Sequence, residues 1–290
     1  MPTTTTGSLA DSLPTMIDAA RIVREHDGVF MRATDHQKLP EGTGTTWDEI
    51  SLAQLTGMNN IGEDQDLNNP QQLSDTLLQL TPVVGGIQTR ITNRAKIRID
   101  KKVAAKMGVL SQNAITRLKD ESYLSWLDGA TTSLSGTGTT LVSGVIGAAA
   151  SRIKGNTTEP STGDLFTVLH PFQVRDIWDE VLAGIGTYTI PNGMTEEIFR
   201  KGFMGGVAGT NLFEDGNIAI DGSTDSKGGV HSREAAVFVQ GRSPWNYEKF
   251  LPEKGGGATD VFHYDEWVFG ERSPGNWLYE VYSNTTAPTT

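Results

Sequence analysis

The sequence predicts an α+β fold, and three features carry that prediction. First, Ile87, Thr89, Ile91, Asn93, Ala95, Ile97 and Ile99 occupy alternate positions, with Gln88, Arg90, Thr92, Arg94, Lys96 and Arg98 between them. That period belongs to a half-buried β-strand with one basic face. Second, Val103, Met107, Leu110, Ala114 and Leu118 recur at the spacing of one apolar helix face. Third, short β-like runs alternate with Gly-rich turns beyond residue 164.

Taken in order, the elements are long. At ~3.3 Å per residue the strand over 87–99 extends ~43 Å, well beyond the usual strand. It is expected to form one side of a projecting arm. Trp47, Ile50, Leu52 and Leu55 mark an earlier strand over Thr46–Leu55, with the polar, Gly/Asn-rich 57–75 region at or near the tip. Asp100 is placed as the N-cap of the helix, which continues through Tyr123, Leu124 and Leu127 and stops near Gly129. Residues 129–163, rich in Gly, Ser and Thr, predict a connector with one short helix in the small-residue run Leu141–Ala150. A strand over Leu165–Leu169 follows, then a helix at Val174–Leu182 preceded by Pro171. Strands are expected at Gly216–Ile220, Ala235–Gln240, Val261–Phe269 and Trp277–Tyr282, and a loose tail over Asn284–Thr290.

Composition narrows the function classes. Hydrophobic residues make up 37% and charged residues 20%, the balance of an ordinary globular chain. No apolar run approaches the ~18–20 residues of a membrane span, so no membrane partner is expected. The absence of cysteine excludes disulfides and thiolate metal sites. A net charge of −11 argues against a dedicated nucleic-acid binder, which needs a surplus of Lys and Arg. The distribution of charge says more than its sum. Residues 41–89 contain no Lys or Arg but carry Glu41, Asp48, Glu49, Glu63, Asp64, Asp66 and Asp75. Residues 90–119 carry Arg90, Arg94, Lys96, Arg98, Lys101, Lys102, Lys106, Arg117 and Lys119 against the single acid Asp100. Opposed patches of this kind set register and partner choice.

Catalytic motifs are scarce. The sequence has no GxxxxGK[ST], HExxH or GxSxG. Ser151-Arg152-Ile153-Lys154 matches SxxK without any supporting motif, and Gly205-Gly206-Val207-Ala208-Gly209 and Gly255-Gly256-Gly257 read as turns. His263 and Asp265 would share a strand face, the one arrangement resembling metal ligands, but an exposed polar face accounts for them as well. His170-Pro171 marks a strand end before a helix. No catalytic, cofactor-binding or metal residue is assigned, and no cofactor is expected.

The order of Ile87–Ile99 followed by Asp100–Asp128 resembles the extended loop and spine helix of tailed-phage major capsid proteins, the Hong Kong ninety-seven fold. Asp164–Gln173, with its His170-Pro171-Phe172-Gln173, is similar to a strand-to-helix passage these proteins carry. Phe203–Phe213 resembles their glycine-rich approach to a strand, and Gly228–Ala236 their late turn into an Ala-rich element. The resemblance covers roughly residues 40–282. It implies an N-terminal arm over 1–40 and an extended loop over 41–89. It further implies a peripheral domain with the spine helix over 90–163, an axial domain over 164–250, and return strands with a tail over 251–290.

By that likeness the chain is a shell subunit forming hexamers and pentamers around phage double-stranded DNA. Its acidic loop would dock on a neighbour's basic strand and helix. Trp47 near the arm base and the Arg90, Arg94 and Arg98 face are the expected subunit contacts. The shell would be assembled in the host cytoplasm and become part of the virion. Two departures matter. Some members crosslink through a loop lysine, and 41–89 has none. Others carry a long scaffolding segment, for which the region before residue 40 leaves little room, so a separate scaffolding protein and a portal are expected. Rival readings are an encapsulin-like compartment of the same fold, an enzyme with an unfamiliar site, and a β-rich decoration or tail protein.

Overall fold

The computed structural model describes residues 26, 28–57, 61–64, 66, 70–93, 101–184, 205–254 and 256–289, with backbone alone at 101–107 and 181–184. The chain builds two larger sheets, a separate hairpin and a long helix lying between them. A six-stranded sheet has the order β5-β12-β9-β6-β8-β7. These are Ser133–Ser135, Leu278–Asn284, Asp225–Ser232, Leu165–Leu169, Thr210–Glu214 and Gly206–Val207. A four-stranded sheet has the order β1-β10-β11-β4, from Asp35–Lys38, Ala236–Leu251, Ala258–Glu271 and Val83–Thr92. Strands β2 (Trp47–Leu52) and β3 (Asp75–Leu80) pair only with each other. The helices are a single turn α1 (Phe30–Ala33), the long α2 (Lys101–Asp128), α3 (Ser143–Lys154) and α4 (Pro171–Gly184). Among the described residues no helix is long and apolar enough to cross a membrane.

Strand β6 explains why Leu165-Phe166-Thr167-Val168-Leu169 is apolar almost without interruption. Its five residues are buried, because both faces of the sheet are covered. Leu165 and Leu169 belong to one core with Ile146, Ala149 and Ile153 of α3 and Val174 and Ile177 of α4. Phe166 and Val168 belong to the other, with Ile115, Tyr123 and Leu127 of α2 and Phe238 and Trp267 of the four-stranded sheet. In α3, Ile146, Ala149, Ala150 and Ile153 form the buried i, i+3, i+4, i+7 stripe. Its N-terminal residue Val142 offers no side-chain cap. Helix α4 supplies one instead, with Glu180 Oε2 accepting the Ser143 N–H at 2.6 Å and Asp176 Oδ2 that of Leu141 at 3.3 Å.

The passage His170-Pro171-Phe172-Gln173 is a fastening. His170 Nδ1 accepts the Phe172 N–H at 3.2 Å, and Gln173 Oε1 reaches back to the His170 N–H at 3.1 Å, a reciprocal cap around a first-turn proline. The other end of the Gln173 amide donates to Ser226 O at 3.0 Å and Ser283 Oγ at 2.8 Å, tying α4 to β9 and β12. Burial lowers the His170 pKa, with His26 acting in the same direction, which keeps Nδ1 available as an acceptor.

Several expectations need correction. The strand alternation holds over the described part, where Ile87, Thr89 and Ile91 are half-buried and Gln88, Arg90 and Thr92 exposed. Residues 94–99 and Asp100 lie outside the described residues. However, β4 is not the arm partner of β2. It joins the four-stranded sheet beside β11, and the partner of β2 is β3. Pro82 stands where the ladder changes partners, and it has no N–H to donate. Helix α2 has the predicted span, but its described buried stripe is Ser111, Ile115, Asp120, Tyr123 and Leu127, whereas Leu110 and Leu118 are exposed. Leu118 instead lines an open groove with Val83, Val84 and Trp126.

Residues 29–38 are not a free arm. Phe30 and Ala33 are buried in the second core and β1 pairs in parallel with β10. Gly216–Ile220 is a turn closed by a single bridge from Ile220 to Ser226. Gly228–Ser232, expected as a turn, is the body of β9. Its Gly228 leaves room for β6, since a Cβ there would lie 2.4 Å from Val168 O. The sheets also group residues differently from the expected division at 250/251. β10 pairs with β11, which pairs with β4, whereas β12 lies beside β9 in the six-stranded sheet.

Candidate assembly surfaces

The β2–β3 hairpin has two different faces. Trp47 and Glu49, opposite Leu80 and Leu78, are half-buried toward the body. Asp48, Ile50 and Leu52, opposite Gln79, Leu77 and Asp75, face outward and are exposed. Ile50 is 62% exposed, Leu52 67% and Leu77 56%, so these side chains form an apolar stripe that nothing among the described residues covers. Leu55 and Leu73 extend it toward the tip, where Glu63 and Asp64 are exposed as well. A two-stranded ribbon is marginal alone, and this one displays the residues that would stabilise it.

What holds the hairpin to the body is Arg272, a residue the sequence reading did not single out. Its Nε lies 3.0 and 2.9 Å from the two Glu49 carboxylate oxygens, its Nη2 donates to Asp35 Oδ2 at 2.6 Å and its Nη1 to Glu234 O at 3.0 Å. One guanidinium thus ties β2, β1 and the turn before β10 to the end of β11. Burial works to raise the Asp35 pKa, but hydrogen bonds from Arg272 and Gln37 more than offset it and hold the carboxyl below its ordinary range. The only sequence signal for Arg272 is its place at the end of a β-like run. Its two carboxylate partners lie more than 220 positions away.

The basic stretch is engaged within the chain at Arg90, Arg117 and Lys119, the positions whose side chains are described. Arg90 binds Asp260 across the β4–β11 pair in a two-pronged contact, Nε to Oδ1 at 2.6 Å and Nη2 to Oδ2 at 2.8 Å. Gln88 donates to the same carboxylate at 2.6 Å, and these bonds, the Arg90 one foremost, hold Asp260 below the ordinary carboxylate range. Arg117 pairs with Glu121 one helical turn on, and Lys119 Nζ lies 2.5 Å from the buried Asp265 Oδ2. Lys119 also sits over the rings of Phe238 and Trp267. Arg94 and Arg98 lie outside the described residues. Trp47 opens the hairpin, half-buried opposite Leu80.

His263 and Asp265 share a face of β11 but turn to different partners. His263 Nδ1 lies 2.7 Å from Asn246 Oδ1, and Asp265 is taken by Lys119 and Gln240. Among the described residues no group of three acids or histidines is placed to hold a metal ion.

No family model matches the sequence, and no curated protein matches it. The fold has many counterparts among solved structures. Against the capsid of cyanophage P-SCSP1u the TM-score is 0.70 at 12% identity, covering 98% of this chain and 96% of the other. Against the capsid of Ralstonia phage GP4 it is 0.68 at 14% identity, covering 94% and 95%. Against the head structure of Helicobacter pylori bacteriophage KHP40 it is 0.69 at 12% identity, covering 92% and 94%. Matches that run nearly the full length of both chains leave one conclusion about architecture: the chain has the α+β fold of phage capsid subunits.

Proposed function

We propose that this chain is the major capsid protein of a tailed phage, assembling as hexamers and pentamers into the icosahedral shell around double-stranded DNA. The observation that carries the reading is the outward face of the β2–β3 hairpin. It is an apolar stripe of Ile50, Leu52 and Leu77 on an element too thin to be stable alone. Such a face is complete only when a neighbouring copy lies against it, and the likeness to phage capsids supports that neighbour being the same chain. In this reading the hairpin within 41–89 is the extended loop, Trp47 a subunit contact near its base, and α2 the spine. Arg94 and Arg98, next to Arg90, face the acidic loop of that neighbour. A separate scaffolding protein and a portal act during assembly in the host cytoplasm, and the acidic subunit confines DNA without gripping it.

The test is negative-stain electron microscopy of the full chain, expressed with and without a scaffold candidate, beside the double variant Ile50→Asp/Leu77→Asp. The expected result is closed shells or curved fragments from the parent and soluble, folded subunits from the variant. A uniform small species from the parent under every condition would overturn the shell reading. Shells from the variant at the parent's yield would remove the hairpin face from it. Shells that hold protein cargo and never DNA in an infected cell would transfer the chain to the compartment class.

A further inference from the structure

The mooring of the N-terminal segment lies on two buried acids. Asp120, on α2, is 0% exposed, and Asp215, just past the end of β8, is 1% exposed. The Asp120 carboxyl adds to burial in holding Asp215 toward its protonated form. The remaining partners are neutral donors. Asn217 Nδ2 donates to Asp120 Oδ2 at 2.9 Å and the Asn217 N–H to Asp215 Oδ1 at 2.8 Å. Asp215 Oδ2 has no donor at all. The N-terminal segment completes the site, because the Phe30 N–H points to Asp120 Oδ1 at 3.5 Å and the Val29 N–H to Asp215. Gly28 sits so close that a Cβ there would lie 2.4 Å from Asp120 Oδ1.

The charged and titratable groups around the pair come from every element packed on it. The N-terminal segment brings His26, whose ring lies against Gly216. Helix α2 brings Tyr123, fully buried, whose hydroxyl lies 2.7 Å from His231 Nε2 on β9. The start of α4 brings His170, which senses His26. Among the described residues no Lys or Arg is paired with Asp120 or Asp215, so no fixed cation offsets a second negative charge.

We propose that Asp215 keeps a proton beside Asp120 and that the two acids act as a proton-gated latch on the N-terminal segment. With the proton in place, the hydroxyl of one acid donates to the other and residues 28–33 stay docked. When the proton leaves to solvent, two carboxylates face each other in a buried site, and undocking of Gly28–Ala33 admits the water that solvates them. Burial first, and the Asp120 carboxyl second, raise the Asp215 pKa to about 7. The docked state therefore binds a proton that the undocked state releases, so rising pH favours undocking from about 4 up to about 7.

His231 works in the opposite sense. Burial lowers its pKa to about 4, so its contribution to stability is full above its unfolded value near 6.5 and is lost as pH falls toward 4. Because the two effects oppose one another over much the same range, a global melting curve is a poor readout of the latch, and a local one is required.

The experiment is hydrogen exchange of the full chain across pH 5 to 8, corrected for intrinsic exchange, in the parent and in Asp215→Asn. In the parent, protection of the amides of 29–34 is expected to fall by about tenfold per pH unit up to about 7 and then level off. In Asp215→Asn, whose amide donates permanently, protection stays high and flat. Should that variant lose protection in β6 and β9, and so fail to fold, Asp120→Asn takes its place. A flat profile in the parent, or an equally steep one in a folded variant, would overturn the proposal. Protection at pH 8 restored by calcium ion would overturn it too, giving the pair a metal in place of a proton.

Discussion

The body and the hairpin obey opposite rules. Within the body, apolar side chains are buried on both faces of the six-stranded sheet, and buried polar groups such as Tyr123 and His231, or Gln173 and its three partners, bind one another. In the hairpin, Ile50, Leu52 and Leu77 stand in solvent, and at the base Arg272 ties the ribbon to the end of β11 through Glu49. A chain selected only to fold would bury that stripe or replace it with polar residues. The body is stabilised by what it contains, and the hairpin by what it will meet. Mutations should therefore separate the two, with stability lost in one region and association lost in the other.

The largest expected difference is between Leu127→Ala and Ile50→Ala. Leu127 is fully buried and packs on Gly229, where an added Cβ would come 3.0 Å from its Cδ2. Truncation leaves a cavity between α2 and the six-stranded sheet and should cost about 2–5 kcal/mol. Ile50→Ala removes a solvated side chain and should change subunit stability by no more than about 0.5 kcal/mol. Denaturant unfolding of unassembled subunits measures both. Comparable losses would show that the hairpin contributes to the core of the single chain, and the comparison would fail.

A smaller effect is expected at Lys119 and Asp265. Asp265 is fully buried and Lys119 is 12% exposed, between the rings of Phe238 and Trp267. Asp265→Ala leaves an ammonium in that apolar setting and should destabilise by about 3 kcal/mol. The double replacement Lys119→Met/Asp265→Leu removes both charges and should recover most of the loss. If the double variant is no better than the single one, the pair also fixes the seating of α2 against the four-stranded sheet, beyond charge balance.

How much of this was legible in the sequence depends on the range of the interactions. Strand β6 and helix α2 were readable because periodicity and a Gly129 stop are local signals. Tyr123 and Leu127 are buried as the helical pattern suggested, but Leu110 and Leu118 were misjudged because they match the helical period as well as Ile115 does. Choosing between those stripes needs the sheets they pack on. Strand β3 was missed since Thr76, Leu77 and Leu78 do not alternate cleanly and its partner is β2 rather than the body. The first strand of the hairpin was legible from Trp47, Ile50, Leu52 and Leu55, but its partner and its anchor were not. Arg272 acquires its role only when Glu49 and Asp35 arrive from the other end of the chain. Asp120 and Asp215 look like any dispersed acids until the fold brings them together.

The smallest expected effect concerns Arg90, and it divides the sequence reading from the structural one. The basic face of the strand was expected to meet a neighbour, yet Arg90 is bound to Asp260 of its own sheet. Arg90→Glu sets two acids opposite each other on β4 and β11 and should slow assembly with little change in the unfolding midpoint of the subunit. The exchange Arg90→Glu/Asp260→Arg restores the cross-strand pair with its ends reversed. If the exchange restores the rate of shell formation, followed by light scattering, Arg90 acts by keeping the β4 edge in register, and the neighbour is left to Arg94 and Arg98. If the rate stays low with the pair rebuilt, the guanidinium is needed at that position by another copy. Arg90 would then belong with the hairpin, among the residues whose use lies outside the single chain.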